Sequence, residues 1–190
     1  MTGHWHIQRA CQNVIAGGVI AYPTEAVWGL GCDPWNETAV TRLLKIKQRN
    51  WQQGLILVAS RWHHIEPLLA SLKPHQLRCL QASWPGPTTW LLPDLKRWIA
   101  PWIKGRYDTV AVRLSAHPLI ANLCDAIGGL LVSTSANRSG VAPTRSSLQV
   151  RLAFGQTLDY ILPGTVGHAT QPSRICDLQT GAIIRTGNSS

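Results

Sequence analysis

Segments with apolar residues every three to four positions alternate along this chain with short, continuously apolar runs. The first helical segment places Ile7, Cys11 and Val14 on one face, and Gly17-Gly18 follow where the helix is expected to end. Residues 19–22 form the first apolar run and predict a strand ending at Pro23. Alternating helix and strand patterns of this kind predict an α/β fold.

The alternation continues almost to the end of the sequence. Further strands are predicted at 55–58, 88–92 after a turn at 84–87, 109–114, 130–133, 159–162, 174–178 and 182–185. Further helices are predicted to begin near Asn36, Ser60, Pro118, and Ser146 or Ser147. Since no repeat or obvious linker interrupts this pattern, we expect a single domain over residues 1–190 with its core at about 7–187. We expect a twisted, mixed parallel and antiparallel open sheet flanked by helices.

Charge and cysteine usage indicate which partners and which cellular compartment to expect. Eighteen Lys and Arg stand against nine Asp and Glu, a net charge of +9 that favours polyanionic partners such as nucleotides, RNA or an anionic membrane surface. The five cysteines are scattered and odd in number, which favours a reducing compartment over a disulfide framework. The sequence lacks both a signal-peptide pattern and a run of ~20 apolar residues. We therefore predict a cytoplasmic protein without a membrane partner.

The first candidate site segments carry a threonine and several cations. Thr24 lies where the strand ending at Pro23 meets a segment read as a Gly-rich loop, the usual ligand position in open α/β sheets; the alternative is a turn with a capping threonine. Lys47 and Arg49 come at the end of a predicted helix, and an extended chain there would point both to one side, as a triphosphate requires. The alternative is that they simply complement the helix C-terminus.

A second set of candidates lies on later strands. Arg113 is a lone charge inside an apolar strand, where Asp108 is the obvious nearby carboxylate. Either a substrate carboxylate or an internal salt bridge would satisfy it. After the strand at 130–133, a cluster of small polar residues predicts a hydrogen-bonding site for anions: Ser133, Thr134, Ser135, Asn137, Ser139 and Gly140. Ser173 and Arg185 near the end of the chain give a weaker signal, since Arg185 ends a strand and could reach across a site.

Other features favour structural roles. The seven histidines lack the spacing of a tetrahedral metal site, and the few dispersed carboxylates make a two-metal cage hard to build, so we predict no protein-held metal. Of the nine tryptophans, Trp98 and Trp102 lie beside a basic segment that could bind RNA, although packing of these side chains against the rest of the protein is the simpler interpretation. P-loop and dinucleotide-binding glycine motifs are missing.

Several segments, in this order and spacing, resemble one known family. They are YPTEAVWGLGCD, KQR followed by GLILV, WPGPTTWLL, VAVRLSAHPL, STSANRSG, PSRICD and IIRTG. Together they resemble the threonylcarbamoyl-AMP synthase family (YrdC/TsaC) in its short, single-domain form. The resemblance implies an α/β fold with a basic concave face. It also implies synthesis of L-threonylcarbamoyl-AMP and pyrophosphate from L-threonine, bicarbonate or CO2, and ATP, the first step of the t6A37 modification of tRNA.

The resemblance also assigns candidate roles. It places the family's catalytic Lys-Arg-Ser-Asn set, which also binds ATP, on Lys47, Arg49, Ser135 and Asn137. It implies threonine binding by Thr24, Arg113 and Ser173, further ATP contacts from Ser133 and Arg185, and Mg²⁺ held mainly through the ATP phosphates. The resemblance implies that TsaB, TsaD and TsaE are downstream partners. It also implies tRNA or double-stranded RNA as a candidate ligand of the basic face. One departure is that the family usually has proline after the arginine, where this chain has Asn50.

A different class of function competes with this interpretation. A non-catalytic module that binds double-stranded RNA, tRNA or rRNA would also use the charge of +9 and the interleaved tryptophans. Such a module has no need of Arg113 within an apolar strand or of a polar cluster after a buried one. The sequence therefore favours the enzyme.

Overall fold

The computed structural model describes residues 3–187, so the ends of the predicted domain, 1–2 and 188–190, lie outside the described residues. Its helices are α1 His4–Ile15, α2 Glu37–Lys47, α3 Glu66–Leu69, α4 Pro74–Ser83, α5 Pro101–Lys104, α6 Pro118–Ile127 and α7 Ser147–Phe154. Its strands are β1 Ile20–Pro23, β2 Trp28–Gly31, β3 Ile56–Ala59, β4 Thr88–Pro93, β5 Thr109–Leu114, β6 Leu131–Ser135, β7 Tyr160–Ile161, β8 Arg174–Asp177 and β9 Ile183–Arg185. Short 3₁₀ helices cover Trp51–Gln53 and Trp62–Ile65.

All nine strands belong to one sheet in the order β7-β1-β2-β6-β3-β5-β4-β8-β9. The pairs β1–β7, β3–β5 and β4–β8 are parallel, and the other neighbouring pairs are antiparallel. This confirms the predicted mixed sheet. The main-chain amide of Val19, just before β1, donates to Asp159 Oδ2 at 2.6 Å, which ties the start of β1 to the segment that leads into β7.

Alternate residues of the central strands pack against helices on opposite faces of the sheet. Ile20 and Tyr22 of β1 lie in one apolar cluster with residues of α1 and α6, whereas Ala21 lies in a larger cluster with residues of α2. Since both faces are covered, β1, β3 and the start of β6 are largely apolar, which is why they appear in the sequence as continuous runs rather than as an alternation. Within the described residues, every helix is too short or too polar to cross a membrane.

Two of the three predicted side-chain caps form. Asn36 Oδ1 accepts from the Ala39 amide at 3.0 Å, and Ser146 and Gln149 make a reciprocal capping box at the start of α7. The prediction for Ser60 is wrong, because its hydroxyl instead donates to Asp125 Oδ1 at 2.6 Å and the 3₁₀ helix begins only after Arg61.

The segment read as a Gly-rich loop is partly a strand. Residues Trp28–Gly31 form β2, which pairs with β1 and β6. Gly31 is needed for this packing because a Cβ there would lie 2.4 Å from the carbonyl oxygen of Val132. Helices α4 and α5 were not predicted, and β6 continues through Ser135, two residues beyond the predicted end of that strand at 133.

Candidate functional site

A cavity of about 550 Å³ opens where the segment that follows β1 and the strands β5 and β6 present polar side chains toward β8 and β9. Seven of the nine predicted site residues line it: Thr24, Arg49, Arg113, Ser133, Ser135, Ser173 and Arg185. The other two, Lys47 and Asn137, are not among the lining residues. Positions separated by up to about 160 residues in the chain are thus brought to one cavity by the sheet order.

Lys47, at the end of α2, is buried with 3% of its surface exposed and points under the turn that follows β6. Its Nζ donates to the carbonyl oxygen of Ser135, to that of Asn137 at 2.8 Å and, more weakly, to Asn137 Oδ1 at 3.4 Å. The Ser139 amide donates in turn to the Lys47 carbonyl oxygen at 2.9 Å. Burial, with a smaller contribution from the charge of Arg49, lowers the pKa of Lys47 to about 8.

Asn137 completes this network. Its Oδ1 accepts from Ser135 Oγ at 2.5 Å, and its Nδ2 donates to the carbonyl oxygens of Arg138 and Val141 at 3.1 and 2.7 Å. Lys47, Ser135 and Asn137 therefore form one hydrogen-bonded cluster, and Ser135 is the member that also reaches the cavity wall.

The backbone after α2 does not extend as predicted. Gln48 adopts a left-handed conformation with φ 53° and ψ 42° and ends the helix, so Lys47 and Arg49 diverge. Arg49 turns toward the cavity, where its Nη2 donates to the Gly54 carbonyl oxygen at 2.9 Å while its buried Nε has no hydrogen-bond partner. Burial lowers the pKa of Arg49, which remains a cation. At the departure from the family pattern, Asn50 Oδ1 accepts from the Gln52 amide and caps the 3₁₀ helix.

Arg113 on β5 has an internal carboxylate partner, and it is Glu25 rather than the expected Asp108. Arg113 Nη1 lies 3.1 Å from Glu25 Oε2, and Ser115 Oγ donates to Glu25 Oε1 at 2.8 Å. Burial raises the pKa of Glu25, but the charge of Arg113 and the hydrogen bonds from its own amide and from Ser115 outweigh that effect, so the net pKa is lowered. Both side chains line the cavity.

Ser173 and Arg185 are hydrogen-bonded to each other on the opposite wall of the cavity. Arg185 Nη2 donates to the Ser173 carbonyl oxygen at 2.8 Å, and Ser173 Oγ lies 2.9 Å from Thr89 Oγ1. Burial, then the charges of Arg113 and Arg49, lower the pKa of Arg185. The three guanidinium groups therefore repel one another, and an anion between them would relieve that repulsion.

Thr24 and Ser133 complete the predicted set. Both are buried and both line the cavity. Thr24 follows β1 as predicted, and its hydroxyl donates to the Val27 carbonyl oxygen at 2.7 Å, which leaves the oxygen free to accept from a ligand. Ser133 lies within β6, opposite Ile56 of β3.

Sequence reasoning missed Glu25 and Ser115 as residues of the site. Glu25 adjoins Thr24 in the motif YPTEA, but its partner Arg113 lies 88 positions later and no spacing rule connects the two. The signal that was present is the lone Arg113, since a buried guanidinium requires a carboxylate from elsewhere in the chain.

The family model and the sequence relatives that match this chain point to the same family. The Sua5/YciO/YrdC family model, described as "Telomere recombination", matches residues 12–187. A protein of Nitrosococcus oceani named threonylcarbamoyl-AMP synthase is 48% identical over 182 residues, covering 96% of this chain and 98% of its own. One of the same name from Stutzerimonas stutzeri is 50% identical over 185 residues, covering 97% and 99%.

Solved structures agree with the sheet described above. Sua5 of P. abyssi, complexed with L-threonine, is 29% identical with a TM-score of 0.90; the match covers 97% of this chain and 55% of that chain, so this chain spans about half of its length. YciO of E. coli has a TM-score of 0.83 at 23% identity and covers 97% and 90%, which supports the fold.

Proposed function

This chain belongs to the Sua5/YciO/YrdC family, and on that premise we propose that it makes L-threonylcarbamoyl-AMP and pyrophosphate from L-threonine, bicarbonate or CO2, and ATP. This reaction is the first step of t6A37 tRNA modification and makes the protein a nucleotidyltransferase. The relatives that carry the synthase name match nearly all of this chain and nearly all of their own length.

One observation in the structure carries the proposal: three guanidinium groups, from Arg49, Arg113 and Arg185, converge on one cavity of about 550 Å³. Both ATP and a carboxylated amino acid are anionic where they would meet these cations. Guanidinium groups bind phosphate and carboxylate oxygens through paired, charge-assisted hydrogen bonds. A cavity with this charge is suited to hold the two substrates together.

We assign the threonine end to Thr24, Arg113 and Ser173. Arg113 would bind the carboxylate through its free Nε, and Thr24 and Ser173 offer hydroxyl groups to the rest of the substrate. The P. abyssi Sua5 structure with L-threonine shows that a relative of this fold binds the amino acid.

We assign the ATP end to Arg49, Ser133, Ser135 and Arg185, supported by Lys47 and Asn137. A carbamate formed on the threonine nitrogen attacks the α-phosphate, the bond to the β-phosphate breaks, and pyrophosphate leaves with growing negative charge. Arg49 would neutralise that charge, while Lys47 contributes its charge from beneath the turn and fixes the positions of Ser135 and Asn137. Catalysis of this kind depends on positioning and charge and requires no side-chain nucleophile.

Mg²⁺ would accompany ATP. The donors near the proposed triphosphate position are the Ser135 hydroxyl and the Asn137 amide rather than carboxylates, a set that fits a metal held mainly by phosphate oxygens and water.

We further propose a cytoplasmic location, delivery of the product to TsaB, TsaD and TsaE, and contact of tRNA or double-stranded RNA with a basic concave face. The location is supported by the cysteines, since all five are free and Cys79 is exposed. The RNA contact is supported by the net charge of +9.

The test is pyrophosphate release from Mg-ATP by the purified protein. We expect release that requires both L-threonine and bicarbonate, and a product mass corresponding to L-threonylcarbamoyl-AMP. A folded sample that binds tRNA and releases no pyrophosphate would instead indicate the non-catalytic RNA-binding module, an alternative that the named relatives do not favour.

A further inference from the structure

The ion pair between Glu25 and Arg113 is incompletely satisfied. Glu25 Oε2 and Arg113 Nε are both buried and have no hydrogen-bond partner, although the two side chains meet at 3.1 Å. Buried polar atoms of native proteins are nearly always paired, and an unpaired one needs an explanation. Here a carboxylate oxygen that is paired only by charge, and a guanidinium Nε without an acceptor, belong to two side chains that contact each other and that both line the cavity.

A ligand that satisfies both atoms must bring an acceptor and a donor close together. An α-amino acid does so, because its carboxylate accepts from a guanidinium and its ammonium group donates to a carboxylate. The two ligand groups are attached to the same carbon, which suits two protein groups that are already in contact. ATP carries no such cation.

Glu25 is fixed for this role by contacts on both sides. Ser115 Oγ donates to its Oε1 and accepts from the His117 amide at 3.1 Å, while the Ala169 amide donates to the Glu25 carbonyl oxygen at 3.0 Å. These bonds leave Oε2 as the oxygen that faces Arg113. A side chain held in this way binds a ligand with little loss of conformational entropy.

Glu25 also differs from the other acidic residue of the cavity wall. Among the described lining residues the carboxylates are Glu25 and Asp177, and Asp177 Oδ1 accepts from the amides of Gln179 and Thr180 at 2.8 and 2.9 Å. Asp177 therefore stabilises the turn between β8 and β9. Glu25 is the carboxylate whose unused oxygen lies next to the proposed carboxylate-binding arginine.

We propose that Glu25 binds the α-ammonium group of the amino-acid substrate while Arg113 binds its α-carboxylate, so that the pair selects α-amino acids over other carboxylic acids. This inference rests on the proposed function. It makes Glu25 a specificity-determining residue of the threonine site, in addition to its salt bridge in the free protein.

The experiment measures binding of L-threonine and of 2,3-dihydroxybutanoate, in which a hydroxyl replaces the α-amino group, by calorimetry. The proteins are the wild type, E25Q, and the control E66Q, which removes the same charge from an exposed position outside the cavity wall. We expect the wild type and E66Q to bind threonine roughly 10- to 100-fold more tightly than the analogue. In E25Q the affinity for threonine should fall while the affinities for the analogue and for ATP stay unchanged, so that the preference for threonine is lost.

Each other outcome has a defined meaning. Equal weakening of both ligands in E25Q would show that Glu25 only positions Arg113, and an undiminished preference in E25Q would also overturn the inference. If E25Q does not fold, the wild type decides, because equal binding of threonine and the analogue contradicts an ammonium-binding carboxylate. A wild type that binds no threonine and releases no pyrophosphate would overturn the proposed function itself.

Discussion

Lys47 Nζ lies 2.8 Å from the main-chain carbonyl oxygen of Asn137, so a buried cation joins the end of α2 to the turn after β6. The contact runs to the backbone and therefore fixes the path of the turn as well as a side chain. Ser135, the last residue of β6, leads into this turn and lines the cavity, so the position of a cavity wall depends on Lys47, which does not itself line the cavity.

The first prediction concerns the pH dependence of the free energy of unfolding. The pKa of Lys47 is lowered from its ordinary value of 10.5 to about 8 in the folded protein, so between these values the unfolded chain binds the proton that the folded chain has lost. Stability contributed by this residue therefore rises with pH across the window from about 8 to 10.5. In urea unfolding at pH 7.5 and pH 10, we expect the free energy of unfolding of the wild type to rise relative to that of K47M, by on the order of 2 kcal/mol.

The comparison with K47M removes the titration of tyrosines and thiols, which both proteins share. A free-energy difference between wild type and K47M that stays constant across this pH range would show that Lys47 does not titrate near 8.

The second prediction concerns turnover. R49A should lower kcat/KM for pyrophosphate release by about 100-fold or more, because the guanidinium that would meet the triphosphate is lost. R49K should recover only part of that loss, since an ammonium group lacks the paired donors. K45A is the matched control, because Lys45 is exposed in the last turn of α2, four residues before Arg49, and does not line the cavity.

K47A should lower turnover to a similar extent while retaining the fold, with some loss of stability because three acceptors lose their donor. Near-normal activity in both K47A and R49A would contradict the proposed phosphate site.

The third prediction tests whether Ser135 and Asn137 act as one unit. Because Ser135 Oγ donates to Asn137 Oδ1, S135A and N137A each remove the same hydrogen bond. In a double-mutant cycle on the dissociation constant of Mg-ATP, we expect a coupling energy of about 1–2 kcal/mol. Strict additivity would mean that the two residues contribute separately.

The fourth prediction concerns the packing of β2. In G31A the new methyl group would meet the Val132 carbonyl oxygen at 2.4 Å and the Tyr22 ring at 2.9 Å, both in the sheet interior. We expect a loss of about 2–3 kcal/mol in the free energy of unfolding, measured from the urea midpoint. Gly129→Ala is the control, because a methyl group there meets nothing within 4 Å, and it should change stability by under about 0.5 kcal/mol.

Local rules predicted the elements that local interactions determine. The cap at Asn36, the strand at 109–114 and the helix start at Pro118 follow from side-chain chemistry within a few residues, and the structure has all three. The strand β2 was missed because its glycines signal a loop, whereas the close approach of Val132, 101 positions later, is what requires Gly31.

The candidate site shows the same difference between features set by local interactions and features set by tertiary contacts. Seven predicted residues line the cavity, and all of them except Arg49 lie within or directly beside strands of the one sheet. The divergence of Lys47 and Arg49 could not be predicted, because it depends on the left-handed conformation of Gln48 and on acceptors from a turn 88 to 90 positions away. The partner of Arg113 is likewise a product of the tertiary fold.

The pairing of β1 with β7 has a consequence for synthesis on the ribosome. Val19 and Asp159, which meet at the start of that pairing, are 140 positions apart, and translation adds roughly 5–20 residues per second. The outer side of β1 therefore stays uncovered for on the order of ten seconds after it emerges, with unpaired main-chain groups that other nascent chains could pair with. How long the growing polypeptide is open to aggregation is set by where β7 lies in the sequence, and faster helix formation would not shorten it.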